Sequence, residues 1–275
     1  MRLFISGFRK LRRRPATYVT FGLLVGLLVL IVVAVGATAN SNMGGGANQG
    51  TRVAAAKELV TFPGAYDQML TFIIGLGGLF AMVYGAAIAG SEWGWGTLKS
   101  AVARGESRVR YMLVQFASVS LMIAIGVVLA FVIAVVAAIV GAHLAGVSTD
   151  GLGDTTALGR LPERLLKGWF AVVEEAALGF TIATLARSQL AGIGAGIAFY
   201  FGEGFASIFL PDIVKYMPFS VASASVATGS GGSLSGSGAA AASLPADQAL
   251  VLVAAWLVGS LLVTALFTDR VEITG

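Results

Sequence analysis

The 275-residue chain contains no cysteine, only one histidine and few charged residues. The absence of cysteine excludes disulfides, thiolate catalysis and cysteine-ligated metal sites. With a single histidine as well, the common catalytic side-chain combinations are missing from the sequence. Charged residues make up 12% of the chain, whereas hydrophobic residues make up 57%. A soluble protein of 275 residues does not need so high a fraction of hydrophobic residues to form its core. The chain is therefore predicted to be an integral membrane protein.

The formal net charge is +4, which raises the question of nucleic-acid binding. The lysine and arginine residues, however, lie beside apolar segments, where they set the orientation of a membrane protein. Membrane lipid is therefore an expected partner of the chain, whereas nucleic acid is not.

Six apolar segments are long enough to cross a membrane, because about 20 residues of helix span about 30 Å of hydrocarbon. They are predicted at about 17–39, 67–89, 112–145, 165–186, 190–210 and 248–267. The third is too long for one straight crossing and is expected to tilt, to bend near Gly126 or to project beyond the bilayer. Continuous apolar runs of this length disfavour a β-barrel. The predicted fold class is all-α, with residues 1–275 in a single transmembrane domain.

The distribution of lysine and arginine predicts the orientation. These residues cluster in the N-terminal segment and in the 90–110 connection, and they are sparse in the 40–66 and 211–247 connections. By the positive-inside rule, both termini and the 90–110 connection are predicted to be cytoplasmic. The first apolar run is too long for a secretory signal peptide and is expected to be retained.

Residues 1–15 place Leu3, Phe4, Phe8 and Leu11 at helical spacing against a basic remainder. This pattern predicts an amphipathic helix that lies in the membrane interface and ends before Pro15. The alternative is a disordered basic tail that only sets the topology.

The polar connection after the second predicted span has an unusual composition. Trp93 and Trp95 favour the headgroup level, and Gly96 allows the chain to turn. Thr97 is predicted to cap a short helix at about 98–104. The pattern indicates a helix parallel to the membrane and facing the cytosol; the alternative is an ordinary basic loop with interfacial tryptophans.

This connection carries the motif Glu92-x-x-x-Gly96-Thr97-Leu98, followed by Arg104-Gly105-x-Ser107-Arg108-x-x-Tyr111. The motif and its place after the second of six spans resemble the permease subunit of ABC-2 type exporters. The resemblance also includes the N-terminal helix and the junction LGFTIATLARSQLAGI, and it departs from the family at Gln115, where relatives often carry a basic residue. It implies that residues 91–110 form a coupling helix on a separate ATP-binding subunit. The residues expected at that interface are Glu92, Trp93, Gly96, Thr97, Leu98, Arg104 and Arg108.

The resemblance also implies an assembly and an activity. Two copies of the chain, joined to two ATPase subunits in a bacterial or archaeal plasma membrane, would export a hydrophobic or amphipathic compound such as a drug, peptide antibiotic or lipid. ATP and Mg²⁺ are expected on the partner, because the sequence contains no G-x-x-x-x-G-K-[ST] motif. The run GSGGSLSGSG at 229–238 superficially resembles an ABC signature, but it falls in a loop of flexible glycine and serine composition that is predicted to lie outside, so the resemblance is interpreted as chance. The chain itself is thus expected to be neither an enzyme nor a cofactor- or metal-binding protein.

Three acidic residues, Glu174, Glu175 and Glu203, lie within predicted spans, where charge is costly. They are predicted either to line a transport path or to form a polar network that braces spans four and five. The alternative function is a proton-coupled secondary transporter that uses them as a relay, although the sequence shows no inverted repeat or paired broken helices.

Two pairs of small residues allow close helix packing. They are Gly22 with Gly26 in span one and Gly192 with Gly196 in span five, and either pair is a candidate for a subunit interface. The 211–247 connection begins half-apolar and predicts a re-entrant or interfacial helical hairpin, followed by a mobile stretch near 228–243.

An intramembrane aspartyl protease is suggested by the G-x-G-D string that ends at Asp154. This hypothesis is disfavoured, because Asp154 falls in a polar loop and no second aspartate lies deep within a span.

Overall fold

The computed structural model describes residues 2–39, 49–226 and 244–270, and every structural statement below concerns them. All regular elements in these ranges are helices. In chain order they are α1 (Arg2–Arg12), α2 (Pro15–Thr38), α3 (Gln49–Val60), α4 (Gly64–Gly94), α5 (Thr97–Ala103), α6 (Arg108–Ala145), a 3₁₀ turn (Asp150–Gly153), α7 (Thr155–Ala186), α8 (Gln189–Phe209), α9 (Pro211–Val214), α10 (Pro218–Val226) and α11 (Ala246–Arg270).

Six of these helices, α2, α4, α6, α7, α8 and α11, are long and apolar enough to cross a membrane. Each of them overlaps one of the six predicted spans, although α7 begins at Thr155 and the predicted span begins at about 165. The predictions of an all-α fold and of a multi-pass membrane protein are confirmed at this level. Between α1 and α2, Arg14 is extended and Pro15 opens the next helix, because proline fits the first turn of a helix, where its missing N–H is not needed.

The centre of the bundle is the pair α4 and α7, which pack along each other more extensively than any other pair. Their backbones touch through glycine. A Cβ atom on Gly179 would lie 2.0 Å from the Met82 carbonyl oxygen, and one on Gly85 would lie 2.2 Å from the Ala176 carbonyl oxygen. Small residues of this kind drive helix association in lipid, where there is no hydrophobic gain between helices.

Helix α6 runs as one α-helix through Gly126, and it has 38 residues. At about 1.5 Å per residue it is about 57 Å long, which exceeds the roughly 30 Å of a hydrocarbon core. Its length is therefore accommodated by tilt or by projection beyond the bilayer rather than by a break in the helix.

The two predicted glycine pairs have different surroundings. Gly192 packs against Ala183 and Gly196 packs against Met82, both within the chain. Gly22 and Gly26 lie on the exposed surface of α2, with no atom within 4 Å of an added Cβ. The pair in α8 thus packs the bundle internally, and the pair in α2 leaves a surface that a second copy could approach closely.

The connection after α8 begins with the short helices α9 and α10, and α10 packs against α4, α7 and α11. The predicted mobile stretch near 228–243, with the glycine- and serine-rich run at 229–238, lies outside the described residues. The Asp154 side chain accepts a hydrogen bond of 2.8 Å from the Ala157 amide and caps α7. The aspartate of the G-x-G-D string is therefore an exposed helix cap.

Candidate functional site

The candidate site is built around the carboxylate of Glu92 at the end of α4. The Glu92 side chain is fully buried. Lys10 of α1 donates to both carboxylate oxygens, at 2.7 and 2.8 Å. Arg14, in the turn before α2, donates to Oε1 at 2.9 Å and to the Ser91 hydroxyl at 2.6 Å. A buried carboxylate is tolerated only with such compensation.

Two further donors approach from the other side. Thr97 of α5 and Tyr111 of α6 both donate to Oε2 of Glu92, and the bond from Tyr111 is 2.7 Å long. We call Lys10, Arg14, Glu92, Thr97 and Tyr111 the Glu92 cluster. It joins α1, the start of α2, the end of α4, α5 and α6 through one side chain.

The local backbone explains how Thr97 reaches Glu92. Gly96 has φ +64°, a left-handed conformation that glycine adopts without strain, and it reverses the chain after α4. Thr97 is therefore the first residue inside α5, and its hydroxyl binds Glu92 rather than a backbone amide. The prediction that Thr97 caps this helix was wrong. Gly96 occupies the capping position, and the Thr97 hydroxyl donates its hydrogen bond to the buried carboxylate of Glu92. Gly105, with φ +84°, turns the chain again towards α6.

Both tryptophans of this connection pack on cations. Arg14 lies over the Trp95 ring at 4.9 Å, and Arg187, at the end of α7, lies over the Trp93 ring at 5.7 Å. Trp93 also meets Phe267 of α11 edge-on at 6.4 Å. The contacts fasten the end of α4 to α7 and α11.

Helix α5 has two different faces. Leu98 and Ala101 are buried and hold the helix against the bundle. The opposite face, which we call the α5 face, consists of Lys99, Ser100, Ala103 and Arg104, all exposed.

The predicted coupling residues thus differ in their burial and in the direction they face. Glu92, Thr97 and Leu98 point inwards and support the connection, whereas Arg104 lies on the exposed face. Trp93, Gly96 and Arg108 are half-buried. The sequence reasoning missed the roles of Lys10 and Arg14, which it used only for topology. The signal that could have found these roles was a single carboxylate at the end of span two, together with an N-terminal segment rich in cations that is predicted on the same side of the membrane.

The acidic residues inside the spans do not form one hydrogen-bonded group. Glu203 accepts hydrogen bonds from the Ser220 amide at 2.6 Å, the Ser220 hydroxyl at 2.7 Å and the Phe219 amide at 3.3 Å. It therefore caps the start of α10. Glu174 and Glu175 are buried, and in the described part of the chain both oxygens of Glu174 and Oε2 of Glu175 have no hydrogen-bond partner.

We expect Glu203→Ala to release the start of α10, because two backbone amides lose their side-chain acceptor and a buried donor left unpaired costs about 1–3 kcal/mol. Hydrogen exchange at Phe219 and Ser220 should become faster by at least about tenfold. The matched control is Ser207→Ala on the same helix, since among the described residues the Ser207 hydroxyl binds the Gly204 carbonyl of α8 and no other group. Equal exchange in both variants would show that Glu203 does not anchor α10.

An apolar cavity of about 80 Å³ lies between α2, α4 and α6. Its lining includes Phe21, Gly77 and Met122, and its polar edge is the hydrogen bond of 3.0 Å between Thr17 and Tyr84. Tyr84 precedes Glu92 by eight residues on α4. Neither Glu174 nor Glu175 lines this cavity.

No protein-family model and no curated protein matches the chain. Among the described residues, no group of three or more histidine, aspartate or glutamate side chains is placed to hold a metal ion.

Proposed function

We propose that this chain is the permease subunit of an ATP-driven exporter of the ABC-2 type. In this proposal α1 lies in the cytoplasmic interface, α5 is the coupling helix, and a separate ATPase subunit binds the α5 face. Two copies of the chain form the substrate pathway in a bacterial or archaeal plasma membrane, with both termini in the cytoplasm. ATP and Mg²⁺ bind the partner.

The observation that carries the proposal is the attachment of α5. A seven-residue helix has little stability of its own. Here its first residue binds Glu92 and its inner face is buried, so its exposed face is held rigidly on α4 and α6. A rigid attachment is what a partner needs to transmit force into spans, since a loose loop would absorb the movement.

The chemistry of the apolar cavity favours a hydrophobic or amphipathic cargo, and its volume of about 80 Å³ admits a small apolar group of such a cargo. Its lining is apolar apart from a few hydroxyl groups, and it lies between three of the candidate spans. Polar or charged cargo would leave its own polar groups unpaired there.

The test is purification of the tagged chain from its native membrane in mild detergent, followed by identification of co-purifying subunits and an ATPase assay. We compare the wild type with Ala103→Trp, which adds a bulky side chain to the α5 face. The matched control is Leu158→Trp near the start of α7, at the opposite end of that helix from Arg187 and the Glu92 cluster.

An ATP-binding subunit that accompanies the wild type and Leu158→Trp, but is lost at least tenfold from Ala103→Trp, supports the proposal. If the wild type carries no ATPase, or if Ala103→Trp retains it fully, the α5 face is not the coupling surface.

A proton-coupled transporter is the second candidate, favoured by the buried carboxyl groups of Glu174 and Glu175 that lack hydrogen-bond partners. Transport that follows a proton gradient without ATP, and that is lost in Glu174→Gln or Glu175→Gln, would select this candidate over the exporter.

A further inference from the structure

A second cleft lies between α1, α5 and α6, and it shares Ser100 and Arg104 with the α5 face. Its volume is about 260 Å³. Since a water molecule occupies about 30 Å³ in the liquid, the cleft has room for a group larger than several waters. Its polar lining includes Lys10, Ser100, Arg104 and Gln115.

Gln115 provides the first sign of a missing ligand. The residue is only 3% exposed, and its side-chain Nε2 has no hydrogen-bond partner in the described part of the chain. A buried donor without an acceptor costs about 1–3 kcal/mol. Gln115 lines the cleft, and its Nε2 is closed to water as the side chain stands, so a rotation of the side chain would bring the amide to an acceptor placed there.

The charges of the cleft show which acceptor fits. Arg104 is exposed, and its guanidinium forms no ion pair or hydrogen bond with another described residue. Lys10 uses two N–H groups on Glu92 and keeps a third. The lining contains no acidic residue. Lys10 and Arg14 both pair with the single carboxylate of Glu92, so this pair of cations already carries one more positive charge than it has partners. Arg104 adds a further positive charge to the cleft lining.

We propose that this cleft binds a phosphate group, held by Arg104 and Lys10 through charge and by the Gln115 amide through a hydrogen bond. Guanidinium groups bind phosphate oxygens in bidentate fashion. The phosphate belongs either to the headgroup of an anionic phospholipid or to a soluble phosphate compound. Leu3 and Val114 also line the cleft and would contact the glycerol and acyl parts of a lipid.

The site does not depend on an ATPase partner, so it is tested on the purified full chain alone. The measurement is the thermal unfolding midpoint in neutral detergent during titration with three probes: dioctanoyl phosphatidylglycerol, dioctanoylglycerol without phosphate, and inorganic phosphate. The variants are Arg104→Gln and Gln115→Met, and the control is Arg13→Gln, which alters an exposed cation of the same region outside the cleft.

We expect saturable stabilisation by phosphatidylglycerol and none by dioctanoylglycerol. The apparent affinity should fall about tenfold in Arg104→Gln and several-fold in Gln115→Met, and it should not change in Arg13→Gln. The same dependence on the variants with inorganic phosphate would support the phosphate site and assign it to a soluble source. Stabilisation that is absent, or equal in all variants, would overturn the proposal.

Discussion

Replacing Glu92 by glutamine should detach α1 from the bundle. The glutamine side chain keeps the shape but leaves Lys10 and Arg14 without their shared anion, and the Arg14 side chain is only 9% exposed. Removing one partner of a buried pair typically costs about 3–5 kcal/mol. Because Lys10 is partly exposed, we expect the lower end of that range, which is about a hundredfold shift in the docking equilibrium of α1.

The absence of cysteine makes the docking of α1 directly measurable. A Cβ atom on Gly7 would lie 3.5 Å from the Cβ of Ser118 in α6, and this distance suits a disulfide. The double variant Gly7→Cys with Ser118→Cys should therefore oxidise rapidly when α1 is docked. The rate of thiol loss, followed by maleimide-PEG labelling, reports the docked fraction with and without Glu92→Gln.

The matched control is Glu163→Gln, which removes an exposed carboxylate paired with Lys167 on α7. It should leave the rate of oxidation unchanged. If Glu92→Gln also oxidises at the parental rate, the carboxylate does not hold α1. The rigid attachment of α5 would then need another explanation, because the same carboxylate binds Thr97.

The spans could be predicted from the sequence because each one is recognised from a single continuous run of apolar residues. A run of about 20 apolar residues has few other uses, and all six predicted segments correspond to long helices. The close contact of α4 with α7 could not be predicted in this way. Glycine is frequent throughout the chain, and nothing local distinguishes Gly179, which touches a backbone, from Gly194, which touches nothing.

The candidate site was predictable only in part. The motif identified Glu92 and Thr97, but their interaction depends on the turn at Gly96, which brings together residues from two helices. The pairing with Lys10 crosses 82 positions of sequence, and several other cations in the N-terminal segment were equally eligible by charge alone. Lys10 is the cation of α1 that reaches Glu92 once α1 packs against α6, and this packing is a tertiary property.

The second large effect is expected for Gly179→Ala. The new methyl group would lie 2.0 Å from the Met82 carbonyl oxygen, and a backbone atom in a helix cannot rotate away as a side chain can. The two central helices must therefore separate. Overpacking typically costs 1–3 kcal/mol, and we expect about 3 kcal/mol here. The measurement is the fraction of detergent-solubilised protein that remains monodisperse after heating.

Two other glycines form a graded control because each receives the same methyl group. At Gly168 the nearest atom is the end of the Leu70 side chain at 3.3 Å, which can move, and at Gly194 there is no atom within 4 Å. Gly168→Ala should lower the midpoint of heat inactivation slightly, and Gly194→Ala should leave it unchanged or raise it, since alanine favours helix over glycine. If Gly179→Ala instead behaves like Gly194→Ala, the backbones of α4 and α7 are not in contact at Gly179. The close approach of the two helices would then depend on the contact between Gly85 and Ala176 and on side chains.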